Sequence, residues 1–219
     1  MKTILFQGDS ITDAKRDREN DNYLGSGYAT MVAGQLGLEH PGKYRFMNRG
    51  ISGNRVSDLY ARIKRDIINL KPDYMSILIG VNDVWHEISS QNGLSEQKFE
   101  IVYDLLICEL LEELPQLKIM ILEPFILPGT ATEATPENPR RWDLFHTEVP
   151  RRAAAAKRIA EKYGLPYIPL QSHFDDACTL APASEWLIDG VHPTPMGHAL
   201  IKQQWMQGFT QLSDEKGKV

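Results

Sequence analysis

Short apolar runs alternate with amphipathic stretches along the whole chain. Residues 3–7, 74–79 and 118–122 read as buried strands, the second ended by Gly80 and the third by Pro124. Residues 44–48 form a weaker run, and a last short strand falls within 166–169. Between the runs the apolar period changes from two to nearly four. Val56, Leu59, Tyr60, Ile63 and Ile67 recur at helical spacing, with Arg62, Lys64, Arg65 and Asp66 on other faces. Phe99, Val102, Tyr103, Leu106, Leu110 and Leu114 make a second stripe, with Ser95 placed as its N-cap. Residues 151–163 are alanine-rich, with Pro150 at the entry, Gly164 just past the end and Pro166 beyond. A first helix covers 28–36. Thr194-Pro195 reads as N-cap and N1 of a last helix running through Trp205, Met206 and Phe209.

Strands that alternate with helices predict a parallel sheet covered on both faces. Five strands fit a three-layer α/β/α, flavodoxin-like fold, and 219 residues fit one domain spanning 1–219. In such sheets ligands bind beyond the carboxyl ends of the strands. Chemistry is therefore expected in the segment just past each strand. Gly8-Asp9-Ser10-Ile11 comes after the first, and Asn48-Arg49-Gly50-Ile51-Ser52-Gly53-Asn54 after the second. Gly80-Val81-Asn82-Asp83 comes after the third, and Asp189-Gly190-Val191-His192-Pro193 lies in a loop after the last. Every unusual short motif falls on one edge of the sheet.

Those loops hold the parts of an ester hydrolase. Ser10 sits in a tight turn that exposes a nucleophile, and His192 is a base for its proton. Asp189, three residues earlier, orients His192 through Nδ1. The Ser10 and Gly53 N–H groups and the Asn82 amide are the candidate oxyanion donors. A glycine at 53 is expected because a missing Cβ lets the backbone approach a ligand. Alone, each motif has a plainer reading: Asp9 and Asp13 as helix caps, Gly50 and Gly53 as turn residues. Their convergence on one edge favours catalysis.

At these residues the sequence resembles the GDSL esterases, or SGNH hydrolases, in four ordered blocks that span essentially the whole chain. The resemblance implies the nucleophile at Ser10, the oxyanion glycine at Gly53, the oxyanion asparagine at Asn82, and the acid and base at Asp189 and His192. Gly-Asp-Ser-Ile-Thr-Asp at 8–13, Gly-Ile-Ser-Gly-Asn at 50–54 and Ile-Gly-Val-Asn-Asp-Val-Trp at 79–85 are similar to the small intracellular acetylxylan esterases. That branch removes acetyl groups from short xylo-oligosaccharides. It tends to place a tryptophan directly before the triad aspartate, where this chain has Ile188, with Trp186 nearby.

Composition narrows the alternatives. A net charge of −5 offers no global attraction to nucleic acid or to a membrane surface. Two cysteines, Cys108 and Cys178, cannot make a disulfide scaffold or a four-thiolate zinc site; both are expected as buried free thiols. The six histidines show no metal-binding spacing, so neither a metal nor an organic cofactor is expected. The opening residues do not read as a signal peptide, which sets a cytoplasmic expectation. Trp85 and Trp186 are the candidate substrate-binding aromatics, each suited to a sugar face and each also readable as core. Residues 123–145 read as a long loop rich in Pro, Gly and Thr, covering the site or meeting a second subunit. With the resemblance, that loop is compatible with a homo-oligomer. The leading expectation is a serine acetylesterase acting on small acetylated sugars. The alternatives are a lysophospholipase, thioesterase or arylesterase with the same machinery, and a non-catalytic binding module, which the occupied catalytic positions argue against.

Overall fold

The computed structural model describes residues 1–213. Its elements follow the chain as β1 (Lys2–Gly8), α1 (Ser10–Asp13), α2 (Tyr28–Glu39), β2 (Tyr44–Asn48), α3 (Val56–Ala61) and α4 (Ile63–Asp66). After a single 3-10 turn at Ile68–Leu70 come β3 (Tyr74–Leu78), α5 (Val81–Ser90), α6 (Glu96–Glu113) and β4 (Lys118–Leu122). The last are α7 (Arg141–Tyr163), β5 (Tyr167–Ile168), α8 (Gln171–Cys178), α9 (Ala183–Trp186) and α10 (Pro195–Leu212).

All neighbouring strands pair in parallel, in the order β2-β1-β3-β4-β5. This is the flavodoxin-like order with a switch point between β1 and β3. The strands read as continuous apolar runs because both faces are covered. On one face Ile4, Phe6, Tyr74, Leu78, Met120 and Leu122 meet α2, α8 and α10. On the other, Leu5, Met75, Ile77, Ile119 and Ile121 meet α3, α6 and α7. Ser95 caps α6 through the Lys98 N–H, and Thr194 caps α10 through the Gly197 N–H, as their sequence positions require. Among the described residues no helix is long and apolar enough to cross a membrane.

Three expectations are corrected. The stripe from Val56 to Ile67 is not one helix: α3 and α4 break at Arg62, although Val56, Leu59, Ile63 and Ile67 are all buried as the stripe requires. At the break the Arg62 guanidinium turns inward to Gln7 Oε1, the Arg49 carbonyl, Asn54 Oδ1 and Asp66. Secondly, α7 begins at Arg141 and runs straight through Pro150 rather than starting after it. An interior proline costs a helix about 3 kcal/mol. Phe145 and Val149, both fully packed in the core, sit on the turns before it and offset that cost. The long loop is accordingly shorter than expected. Thirdly, neither cysteine is fully buried; Cys108 Sγ–H donates to Glu112 one helical turn along α6.

Gly50 lies where the β2 loop crosses α1. A Cβ there would stand 2.3 Å from the Asp13 N and 2.8 Å from the Thr12 carbonyl carbon, both backbone atoms. Gly50→Ala is therefore expected to destabilise the protein by about 1–3 kcal/mol, read as a lowered midpoint in urea unfolding with unchanged slope.

Candidate active site

The site is assembled from four loops at the carboxyl edge of the sheet. Asp9 caps α1, its Oδ1 accepting the Ile11 N–H at 3.0 Å, and so presents Ser10 as the first helical residue. Burial pushes the Asp9 carboxyl up to about 7. Ser10 Oγ lies 3.0 Å from His192 Nε2, and His192 Nδ1 lies 2.7 Å from Asp189 Oδ2. Asp189 Oδ1 accepts the N–H groups of Val191 at 3.0 Å and His192 at 2.8 Å. Burial pushes the Asp189 carboxyl up, but these hydrogen bonds from His192 and the backbone outweigh it and hold it at about 2. The bond to Asp189 raises the His192 pKa above its ordinary 6.5, against the opposing effect of burial. The ring is thus fixed with Nδ1–H on Asp189 and Nε2 facing the Ser10 hydroxyl.

The three expected oxyanion donors share one cleft of ≈ 320 Å³, bounded also by Ser52, Trp85, His86 and His192. Gly53 has φ +81, while a Cβ there would meet only His86 Nε2, at 3.9 Å. The glycine is therefore required by its left-handed backbone, and the space a Cβ would fill is open. Asn82 lies in the first turn of α5 and donates one amide N–H to the Asn54 carbonyl at 3.1 Å. That leaves its second N–H for a ligand. The α5 N-terminus beneath it favours negative charge in this cleft.

Of the two tryptophans, only Trp85 is at the site. Its ring stands 5.9 Å from that of His192 and is backed by Phe145 of α7 at 5.9 Å. Trp186 is half-buried and packs against the core, its indole N–H on the Ala181 carbonyl at 3.3 Å. Its neighbour Ile188 takes the exposed position, lining a second cleft of ≈ 430 Å³ that also reaches Ser10, Ser52 and His192. A larger hollow of ≈ 680 Å³ between α7 and α8 contains none of these groups.

Several supports were not legible in the motifs. Asp13 Oδ2 accepts the Ser52 N–H at 3.0 Å and the Ser52 hydroxyl at 3.2 Å, fixing the residue before Gly53. Arg16 Nε donates to the Gly50 carbonyl at 2.7 Å. The carboxyl of Asp83, pushed up to about 8 by burial, accepts the Val56 N–H just beyond that loop. Part of the long loop clasps the triad segment: the Leu127 N–H reaches the Gly190 carbonyl, and the Ala131 N–H the Asp189 carbonyl. Nothing local marks these partners, because each is distant in sequence.

A parallel α/β sheet with a hydrogen-bonded Ser–His–Asp line at its carboxyl edge is the arrangement of an ester-hydrolase site. Residues 6–200 match the GDSL-like Lipase/Acylhydrolase family, and the chain belongs to it. It is a carboxylic ester hydrolase. It is 34% identical to an acetylxylan esterase of Geobacillus stearothermophilus, over 93% of this chain and 92% of that protein. The solved structure of a protein described as a GDSL-like lipase from Parabacteroides merdae superposes with a TM-score of 0.88 at 36% identity, covering 97% of this chain and 96% of that one. A catalytic mutant of the Geobacillus stearothermophilus acetylxylan esterase, with an aspartate changed to alanine, superposes at 0.80 and 30% identity, covering 94% and 93%.

The Asp13–Ser52 pair yields a prediction. Asp13→Ala releases the loop that carries the Gly53 N–H, and kcat on an aryl acetate should fall about tenfold with KM little changed. Asp13→Asn keeps an acceptor oxygen and should recover most of the loss in the same steady-state assay.

Proposed function

We propose that this chain is a serine acetylesterase that deacetylates small acetylated carbohydrates, xylo-oligosaccharides among them. The observation that carries the reading is the unbroken hydrogen-bonded line from Asp189 through His192 to Ser10, beside a cleft lined by Gly53 and Asn82. Its substrate class is supported by the similarity to an acetylxylan esterase along nearly the whole chain.

In this reading Ser10 Oγ attacks the acetyl carbonyl carbon while its proton passes to His192 Nε2. Asp189 stays ionised and steadies the imidazolium. The carbonyl oxygen, now carrying the charge, is held by the Ser10 and Gly53 N–H groups and the Asn82 amide. Collapse of the intermediate breaks the bond to the sugar oxygen, which leaves with the proton from His192. Water then repeats the sequence on the acetyl-enzyme, releasing acetate and restoring Ser10. Trp85, wedged between His192 and Phe145, walls the acyl side, which favours a short acyl group. No cofactor enters the scheme.

Acetate release from acetylated xylo-oligosaccharides tests the proposal. Wild type should release acetate readily, Ser10→Ala at least about 10⁴-fold more slowly, and para-nitrophenyl acetate should be cleaved far faster than the octanoate. Preference for octanoate with no release from the sugars would replace the substrate class by a long-chain ester and keep the chemistry.

The base sets the pH profile. His192 accepts a proton only when neutral, and its raised pKa moves that condition upward. Activity is therefore expected to rise with pH through a midpoint above 6.5, while Asp189, at about 2, stays ionised throughout. Asp189→Asn should move the midpoint of kcat/KM down and cost about 10³–10⁴ in kcat. A flat profile between pH 5 and 8 would remove His192 from the role.

A further inference from the structure

The second cleft contains a buried titratable side chain that the reaction scheme does not use. His198, in the first turn of α10, is 8% exposed and borders this cleft beside His192. Its Nδ1 accepts the Tyr28 N–H at 3.2 Å, and its Cε1–Nδ1 edge lies against Gly27. That N–H is the first orphan donor of α2, whose N-cap Gly27 has no side chain to satisfy it. The imidazole caps α2 from a different helix.

This cap fixes the tautomer. An imidazole that accepts through Nδ1 holds its proton on Nε2. Burial, helped by the nearby His192, holds the His198 pKa down to about 4, so the ring stays neutral at ordinary pH. Among the described residues Nε2 has no hydrogen-bond partner, and it is not among the polar atoms sealed from solvent. The ring's one unpaired donor thus belongs to a residue that lines this cleft.

The two clefts meet at Ser10 and His192. The oxyanion donors and Trp85 occupy the first, which places the carbonyl oxygen and the acetyl methyl there. The second is bordered by Lys15, Ser26 and His198. The Ser26 hydroxyl gives its proton to the Ala14 carbonyl at 3.2 Å and keeps its lone pairs for an incoming donor. A wall offering a fixed N–H donor beside a hydroxyl acceptor suits a ring that carries several oxygens.

We propose that the second cleft seats the alcohol half of the ester, and that His198 Nε2–H donates to a hydroxyl or ring oxygen of a polyhydroxylated leaving group. His198 is then a specificity residue that distinguishes a sugar ester from an equally large apolar one. The inference rests on the esterase reading above and goes beyond it by naming the residue that recognises the sugar.

The test compares two acetates of similar ring size, a mono-acetylated methyl xyloside and cyclohexyl acetate, with wild type and His198→Asn. Asparagine keeps an acceptor for the Tyr28 N–H, and its shorter side chain leaves no N–H at the position of Nε2, so its Tm should stay close to wild type. The ratio of kcat/KM for the xyloside to that for cyclohexyl acetate should fall about tenfold in the variant, mostly through KM. An unchanged ratio, or equal losses on both esters, overturns the proposal and leaves the esterase reading intact. Failure of wild type to cleave the xyloside while it cleaves cyclohexyl acetate overturns both the sugar reading and this one. If the variant does not fold, single-deoxy xyloside acetates decide with wild type: at least one deoxy position should cost about tenfold, and no loss at any position overturns the proposal.

Discussion

Asp189 commits both carboxylate oxygens to its own loop, one to two backbone N–H groups and the other to the His192 ring. A partly buried carboxylate is tolerable only when its lone pairs are met in this way. Here the same bonds that keep it ionised also aim an imidazole at Ser10. The arrangement needs the loop to hold its shape, and that shape is set by the strand-like contacts of Leu127 and Ala131 from the segment after β4. The acid, the base and the segment that holds them form one backbone-bonded unit. Ser10 reaches this unit from the opposite end of the chain because β1 lies centrally in the sheet.

The Gly53 and Asn82 side of the cleft follows the same logic with different means. Gly53 and Asn82 belong to separate loops, and each is tied down from beneath by a buried carboxyl. Asp13 holds the first loop from the end of the nucleophile's own helix, so the position of Gly53 is measured from Ser10. Asp83 reaches across from α5 to the start of α3, linking the turn that carries Asn82 to the loop that carries Gly53. Burial disfavours the charged form of Asp83. It is a hydrogen-bonding strut of the frame and does not line the cleft.

The fold was readable because its strands are buried on both faces, and such runs stand out from any neighbour. The meeting of Ser10, His192 and Asp189, and of Gly53 and Asn82 in one cleft, was readable because each occupies a short motif directly past a strand or beside its partner. Where the reading failed, tertiary packing had overridden a local rule. Pro150 looks like a helix entry by its chemistry, yet the burial of Phe145 and Val149 carries α7 through it. Arg62 looks like one more polar residue on an amphipathic helix, yet its inward turn breaks the helix. Asp13, Ser52 and Asp83 meet partners 27 or more residues away, a separation that no local pattern encodes.

The Arg62 guanidinium joins the first strand, the end of the second, the Asn54 turn and α4 at one buried point. A cation so placed cannot release one of these partners without leaving charge or polar atoms unmet in the interior. Local opening of the loop that carries Gly53 is thereby coupled to disruption of the central sheet. Amide protons in that loop should exchange with solvent only as slowly as those of the core strands. On heating, the enzyme would then retain its catalytic geometry until the whole domain melts, with no earlier stage in which a folded but misaligned form accumulates.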